Sequence, residues 1–133
     1  METIKGQFAI KATPLELGDA EKRLGAMRMM FEKHFSGTLE ANSIVVMLGL
    51  MKKDVGSGGY VALERVEGIL NDRKGSFCLQ HSSSMNRGKP EQKINVIPDS
   101  GTDELVGLSG QMKIDVVNGE HFFTFEYSLN ESR

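Results

Sequence analysis

Three ionisable residues stand at positions where strand-like sequence would ordinarily be apolar. Glu64 is in phase with Tyr60, Ala62 and Val66, His81 with Phe77 and Leu79, and Lys33 with Phe31 and Phe35. Successive side chains of a strand point to opposite faces, so each of the three shares a face with apolar neighbours. If those faces point inward, a carboxylate, an imidazole and an ammonium meet in an enclosed, oily space. An unpaired buried charge is costly, so the groups must pair or shift their pKa values. A Glu64–Lys33 pair beside His81 would act as an acid/base site or fix the polar head group of a ligand. Glu64 and His81 are the candidates for proton transfer. Each also has a plainer reading: Glu64 in water at a barrel mouth, and His81 as a hydrogen-bonded residue near a strand end.

These positions carry weight only if the flanking segments are strands. Asn118-Gly119 is the clearest local evidence, because both residues tolerate the φ > 0 of a two-residue type I′ turn. Folding the chain there sets Leu108, Met112, Ile114 and Val116 opposite Leu129, Phe125, Phe123 and His121, with Gly110 opposite Tyr127. The other face pairs Ser109, Gln111, Lys113 and Asp115 with Ser128, Glu126, Thr124 and Phe122. One face is almost all apolar and the other almost all polar, as a half-buried antiparallel sheet requires. Residues 3–12 alternate in the same way. Residues 24–35 fit a helical stripe (Leu24, Met27, Met30, Phe31) or a strand face (Met27, Met29, Phe31, Lys33, Phe35). We read a strand, because Ser36-Gly37 then turns the chain into the next one and a lone helix would need its own partner surface. Residues 38–51 hold a long β-branched, apolar run, and Asp54 to Gly59 reads as a flexible loop without the Lys-Ser/Thr of a phosphate-binding loop.

Residues 60–70 and 76–83 form a second expected hairpin. With Asp72-Arg73 as its turn, Gly68 faces Phe77, Val66 faces Leu79 and Glu64 faces His81; a bulge at Gly75 would shift that pairing. Ser82 to Lys89 reads as a polar loop, Gln92 to Ile97 as a strand closed by Pro98-Asp99-Ser100-Gly101, and Asn130 to Arg133 as a fraying tail. About eight strands on short turns suit an all-β, closed antiparallel meander barrel. Closure also removes the sheet edges through which strands aggregate.

Composition narrows the function classes. The chain has 133 residues, 39% of them hydrophobic, enough for one domain (1–133) with a real core. Its formal charge is -2 with acidic and basic residues interspersed, so no nucleic-acid partner is expected. The single cysteine, Cys78, excludes an intramolecular disulfide and suits a reducing compartment. The N-terminus lacks a signal-peptide pattern, and the longest apolar stretch, Ile44 to Met51, is too short to cross a bilayer as a helix. The expectation is a cytoplasmic protein with no membrane partner. The three histidines, His34, His81 and His121, share no ligand spacing, so neither metal nor cofactor is expected. His34 and His121 read as strand-edge or surface residues, Arg65 and Gln80 as outer-face residues. Cys78 lies in phase with Ser76 and Gln80, with no histidine opposite to activate it. Met27, Met29, Met30, Met47, Met51 and Met112 read first as core gap-fillers and second as pocket walls.

The string Gly59-Tyr60-Val61-Ala62-Leu63-Glu64-Arg65-Val66-Glu67-Gly68 followed by Gly75-Ser76-Phe77-Cys78-Leu79-Gln80-His81 resembles a family of small bacterial proteins without an assigned function. Pro98-Asp99-Ser100-Gly101-Thr102 and Gly107-Leu108-Ser109-Gly110 extend the likeness, in the same order and spacing, over nearly the whole chain. The family's fold resembles the eight-stranded barrel of plant allene oxide cyclases. That likeness implies a barrel and a homo-oligomer, but maps no catalytic motif of the plant enzymes onto this chain.

The reading is a barrel that binds a small apolar or amphipathic ligand, lined by Lys33, Tyr60, Glu64 and His81 and by Phe125 and Tyr127, whose face reads as core first and ligand wall second. Two alternatives stand beside it. One is an isomerase or cyclase that holds a reactive apolar substrate in one shape. The other is a packed, non-catalytic oligomeric structural protein.

Overall fold

A computed structural model describes residues 1–130. The expected fraying of the tail lies, beyond Asn130, outside the described residues. The strands are β1 (Glu2–Pro14), β2 (Met27–Ser36), β3 (Leu39–Lys52), β4 (Ser57–Leu70), β5 (Arg73–Asn86), β6 (Lys89–Glu91), β7 (Ile94–Val96), β8 (Leu108–Val117) and β9 (Glu120–Leu129). One short helix, α1 (Asp19–Leu24), precedes β2, and a 3-10 turn at Asp103–Leu105 precedes β8. The strands run in the order β4-β3-β2-β1-β9-β8-β7-β5-β6, and pairing of β4 with β5 closes the sheet. The result is an eight-stranded antiparallel barrel, with β6 as a ninth strand on the margin of β5.

Turn chemistry sets the registers. Asn118 and Gly119 take φ 53 and 81, and the β8–β9 ladder pairs Leu108 with Leu129, Gly110 with Tyr127 and Met112 with Phe125. The 24–35 segment is strand from Met27 onward. The second hairpin differs from expectation. Its turn is Asn71-Asp72, at φ 49 and 69, because Asn and Asp enter the left-handed region where Arg73 would be strained. Gly68 therefore faces Gly75, Val66 faces Phe77, Glu64 faces Leu79 and Ala62 faces His81. The slip is two residues, one full strand period, so every side chain keeps its expected face. The expected polar loop from Ser82 is instead mostly strand: β5 runs on to Asn86 and turns into β6 through Arg87 (φ 48) and Gly88 (φ 84). Ser57, Gly58 and Gly59, read as loop, begin β4.

The interior divides into two ends. At one, Phe77 stacks on Phe125 with centroids 5.6 Å apart and Phe125 on Tyr127 at 5.2 Å, and Leu39, Leu70 and Leu105 join them fully buried. Gly68 admits this packing, since a Cβ there would lie 2.6 Å from that of Ala41. Phe123 covers the cross-strand Gly6, an arrangement that stabilises a glycine within a sheet, while Phe77 faces Val66. Residues 97–102 continue the β7 edge along β5: Ile97 N–H donates to Cys78 O (2.9 Å) and Thr102 N–H to Ser76 O (2.8 Å). The other end holds the polar residues.

Candidate functional site

Four adjacent strands, β2 to β5, deliver the polar residues on a diagonal. Lys33 of β2 faces Ser43 of β3, Val45 of β3 faces Glu64 of β4, and Ala62 of β4 faces His81 of β5. All four polar side chains point inward and are buried. They converge on the Glu64 carboxylate. Lys33 Nζ donates to Oε1 at 3.2 Å, His81 Nε2 lies 2.8 Å from the same oxygen, and Ser43 Oγ donates to Oε2 at 2.6 Å. The Lys33 ammonium also sits 4.8 Å from the Phe8 ring centroid and 5.8 Å from that of Phe35, on faces that attract cations.

Burial by itself would raise the Glu64 pKa. The hydrogen bond from His81, the Lys33 charge and the Ser43 hydroxyl outweigh burial and hold it below the ordinary 4.5. Glu64 is therefore a carboxylate at neutral pH and can only accept hydrogen bonds. The proton between it and His81 must then sit on Nε2, which donates. His81 Nδ1 is left buried with no partner. A buried polar atom without a partner is uncommon and calls for an explanation.

Beside this group lies a cavity of about 220 Å³, walled by Phe8, Ile10, Phe31, Val45, Met47 and Ile114, with Tyr60, Lys33, His81 and His121 contributing the polar atoms. Most of the wall residues are only half-buried, so the space opens at this end of the barrel. The Tyr60 ring lies 6.1 Å from His81, and His121 lies 5.3 Å from Phe8.

Four of the six expected lining residues, Lys33, Tyr60, Glu64 and His81, thus stand together. Phe125 and Tyr127 do not; they lie in the aromatic packing at the far end, where the Tyr127 hydroxyl accepts a 3.5 Å hydrogen bond from Asn71. His34 is on the surface, bonded to Asn42 and Glu40. His121, expected at a strand edge or the surface, stands half-buried near the start of β9 and lines the mouth. Arg65 and Gln80 face outward, as expected. Of the methionines, Met112 is core and Met47 is cavity wall, while Met27 and Met51 are exposed. Ser43 was missed, although a serine in phase with Ala41, Val45 and Met47 on a strand opposite Lys33 was a usable signal. Among the described residues no three His, Cys, Asp or Glu side chains group so as to hold a metal ion, and no helix is long and apolar enough to cross a membrane.

Residues 4–127 match a family described as "Protein of unknown function (DUF3224)". A crystal structure of a protein of unknown function from that family, from Shewanella oneidensis MR-1, is 42% identical to this chain. The alignment covers 98% of each chain with a TM-score of 0.89. No curated protein is significantly similar. These matches lend no support to the allene oxide cyclase likeness.

Proposed function

The chain belongs to the DUF3224 family of unknown function, and we propose that its barrel binds a small, largely apolar molecule carrying one hydrogen-bond donor. The observation that carries this reading is the unpartnered Nδ1 of His81 at the cavity. With the imidazole neutral, Nδ1 offers a lone pair, and Glu64 on the opposite nitrogen keeps the ring in the tautomer that presents it. Apolar walls supply affinity and one buried acceptor supplies orientation, the usual division of labour in a small-molecule site. Size follows from volume. An apolar cavity of about 150 Å³ accepts benzene, so about 220 Å³ suits a molecule of roughly ten non-hydrogen atoms.

Phenol and toluene test the reading, since they differ chiefly in hydroxyl against methyl. Phenol should raise the melting temperature more than toluene at equal concentration, in proportion to occupancy. One extra hydrogen bond of about 1 kcal/mol corresponds to roughly fivefold in affinity. His81→Phe should abolish that preference while leaving the toluene effect. Equal effects of the two compounds on the wild-type protein would refute the assignment.

The same atom favours one second reading, an isomerase. A carboxylate behind a histidine that presents its other nitrogen is the orienting arrangement of a general base. His81 Nδ1 would take a proton from one substrate carbon and return it to another, with the Lys33 ammonium facing the oxygen on which charge develops. Glu64 is then the positioning residue rather than the base, because both its oxygens are occupied and its pKa is lowered.

A further inference from the structure

The sequence run Ser43-Ile44-Val45-Val46-Met47-Leu48 is apolar on both faces of β3, and the cavity accounts for only one of them. A strand reads as a continuous apolar run when both of its faces are covered. Most outward-facing residues elsewhere on the barrel are polar, as Lys5, Gln7, Gln111, Lys113 and Thr124 illustrate, with Phe122 an exception. Over β3 and β4 the rule breaks. Ile44, Val46, Leu50, Val61 and Leu63 are 48%, 45%, 44%, 54% and 61% exposed. They are contiguous, since Val46 pairs with Leu63, Leu48 with Val61, and Met30 of β2 with Val46. The apolar surface is on the order of 500 Å², near the top of what a monomer leaves open. With its polar rim it approaches the roughly 800 Å² per partner of a standard interface.

We propose that this wall is the interface between two copies of the chain, related by a two-fold axis beside Val46. The charges around the patch favour a second copy over an unrelated partner, because they are self-complementary. On β2, Glu32 and Arg28 flank Met30. Along the row of Ile44, Glu32 lies on one side and Arg65 on the other. A two-fold that sets the β3 strands antiparallel across the interface brings Glu32 of one copy to Arg28 of the other. A two-fold that sets them parallel brings Glu32 to Arg65. Either way Met30, Val46 and Leu63 meet apolar residues of the other copy and Glu32 meets an arginine, as an isologous interface requires. The patch is the outer surface of strands whose inner surface forms the site, so association would also stiffen the wall that carries Glu64.

Sedimentation equilibrium of the full chain tests the proposal. The expected mass is that of a dimer, and Leu63→Lys should weaken self-association by more than about tenfold. Leu63 is largely exposed, so the variant should keep its circular dichroism spectrum and its phenol response. Glu32→Arg should also weaken the dimer. Rescue by Arg28→Glu identifies the antiparallel arrangement, and rescue by Arg65→Glu the parallel one. A monomer at high micromolar concentration overturns the proposal, whether the true occupant is another protein or a lipid surface. A dimer unmoved by both Leu63→Lys and Val46→Glu places the interface elsewhere and overturns it equally.

Discussion

Toward Leu39, Leu70 and Leu105 the barrel interior is aromatic and closed; toward Tyr60 and His121 the same strands leave a cavity and bury an ion pair. At the closed end each side chain adds transfer energy and dispersion contacts, with Phe77, Phe125 and Tyr127 stacked in one column. At the open end the barrel forgoes that packing and desolvates Lys33 and Glu64, whose mutual attraction barely repays the loss of water. A sequence under pressure for stability alone would have filled the space with methyl groups. On the proposed reading, stability rests with one end and recognition with the other.

The widest test of that division compares large-to-small substitutions. Phe77→Ala, fully buried, should cost about 3–5 kcal/mol in urea unfolding. Phe31→Ala at the half-buried cavity wall should cost less than half as much, roughly in line with its smaller buried area. Equal costs would mean that the cavity end is packed as tightly as the other. The ion pair sharpens the point. Glu64→Ala strands the Lys33 ammonium and should destabilise by about 3–5 kcal/mol. The triple replacement Lys33→Met, Glu64→Leu, His81→Phe should be neutral or stabilising by about 1–4 kcal/mol on the same principle, while losing any preference for phenol over toluene. A triple variant as unstable as Glu64→Ala would show that the polar group holds the fold together.

The two ends should also fail at opposite limits of pH. The Glu64 pKa is lowered in the folded state, so its contribution is full above 4.5 and is lost as pH falls through the folded value. Burial first, and the Glu2 charge after it, raise the Tyr127 pKa above 10.0. Its contribution is full below 10.0 and is lost as pH rises through the folded value. Unfolding free energies measured across both limits should show an acid slope that the triple variant flattens and an alkaline slope that Tyr127→Phe flattens. An acid slope unchanged in the triple variant would move that titration away from Glu64.

Periodicity made the face of each residue legible, whereas its position along the barrel axis depended on turns. Lys33, Glu64 and His81 could be placed inside because a strand has only two faces. Alternation places Phe125 and Tyr127 inside as well, yet it does not say which end of the interior a residue occupies. That depends on shear and closure between strands distant in sequence. The hairpin at Asn71-Asp72 makes the same point: an error of two residues left every face intact and moved His81 from opposite Glu64 to opposite Ala62. The free nitrogen of His81 was not legible at all, because it follows from three partners competing for one carboxylate. The β6 hairpin was hidden by the polarity of Ser82 to Lys89, which a marginal strand tolerates on both faces.

The smallest effect should come from the turn that bounds the open end. Gly119 stands at φ 81, beside His121 and Phe8 at the barrel mouth, and a Cβ there would meet nothing within 4 Å. Gly119→Ala therefore pays only for the left-handed backbone, about 1 kcal/mol. Gly68, in the closed end, is the contrast: its Cβ would lie 2.3 Å from the Glu40 carbonyl oxygen, so the closed end would have to shift to admit it. In urea unfolding Gly119→Ala should lose about 1 kcal/mol, and the phenol response should stay intact. A loss of phenol response from this one methyl would mean that the Asn118-Gly119 turn shapes the mouth, and that recognition reaches beyond Lys33, Glu64 and His81 to the β8–β9 hairpin.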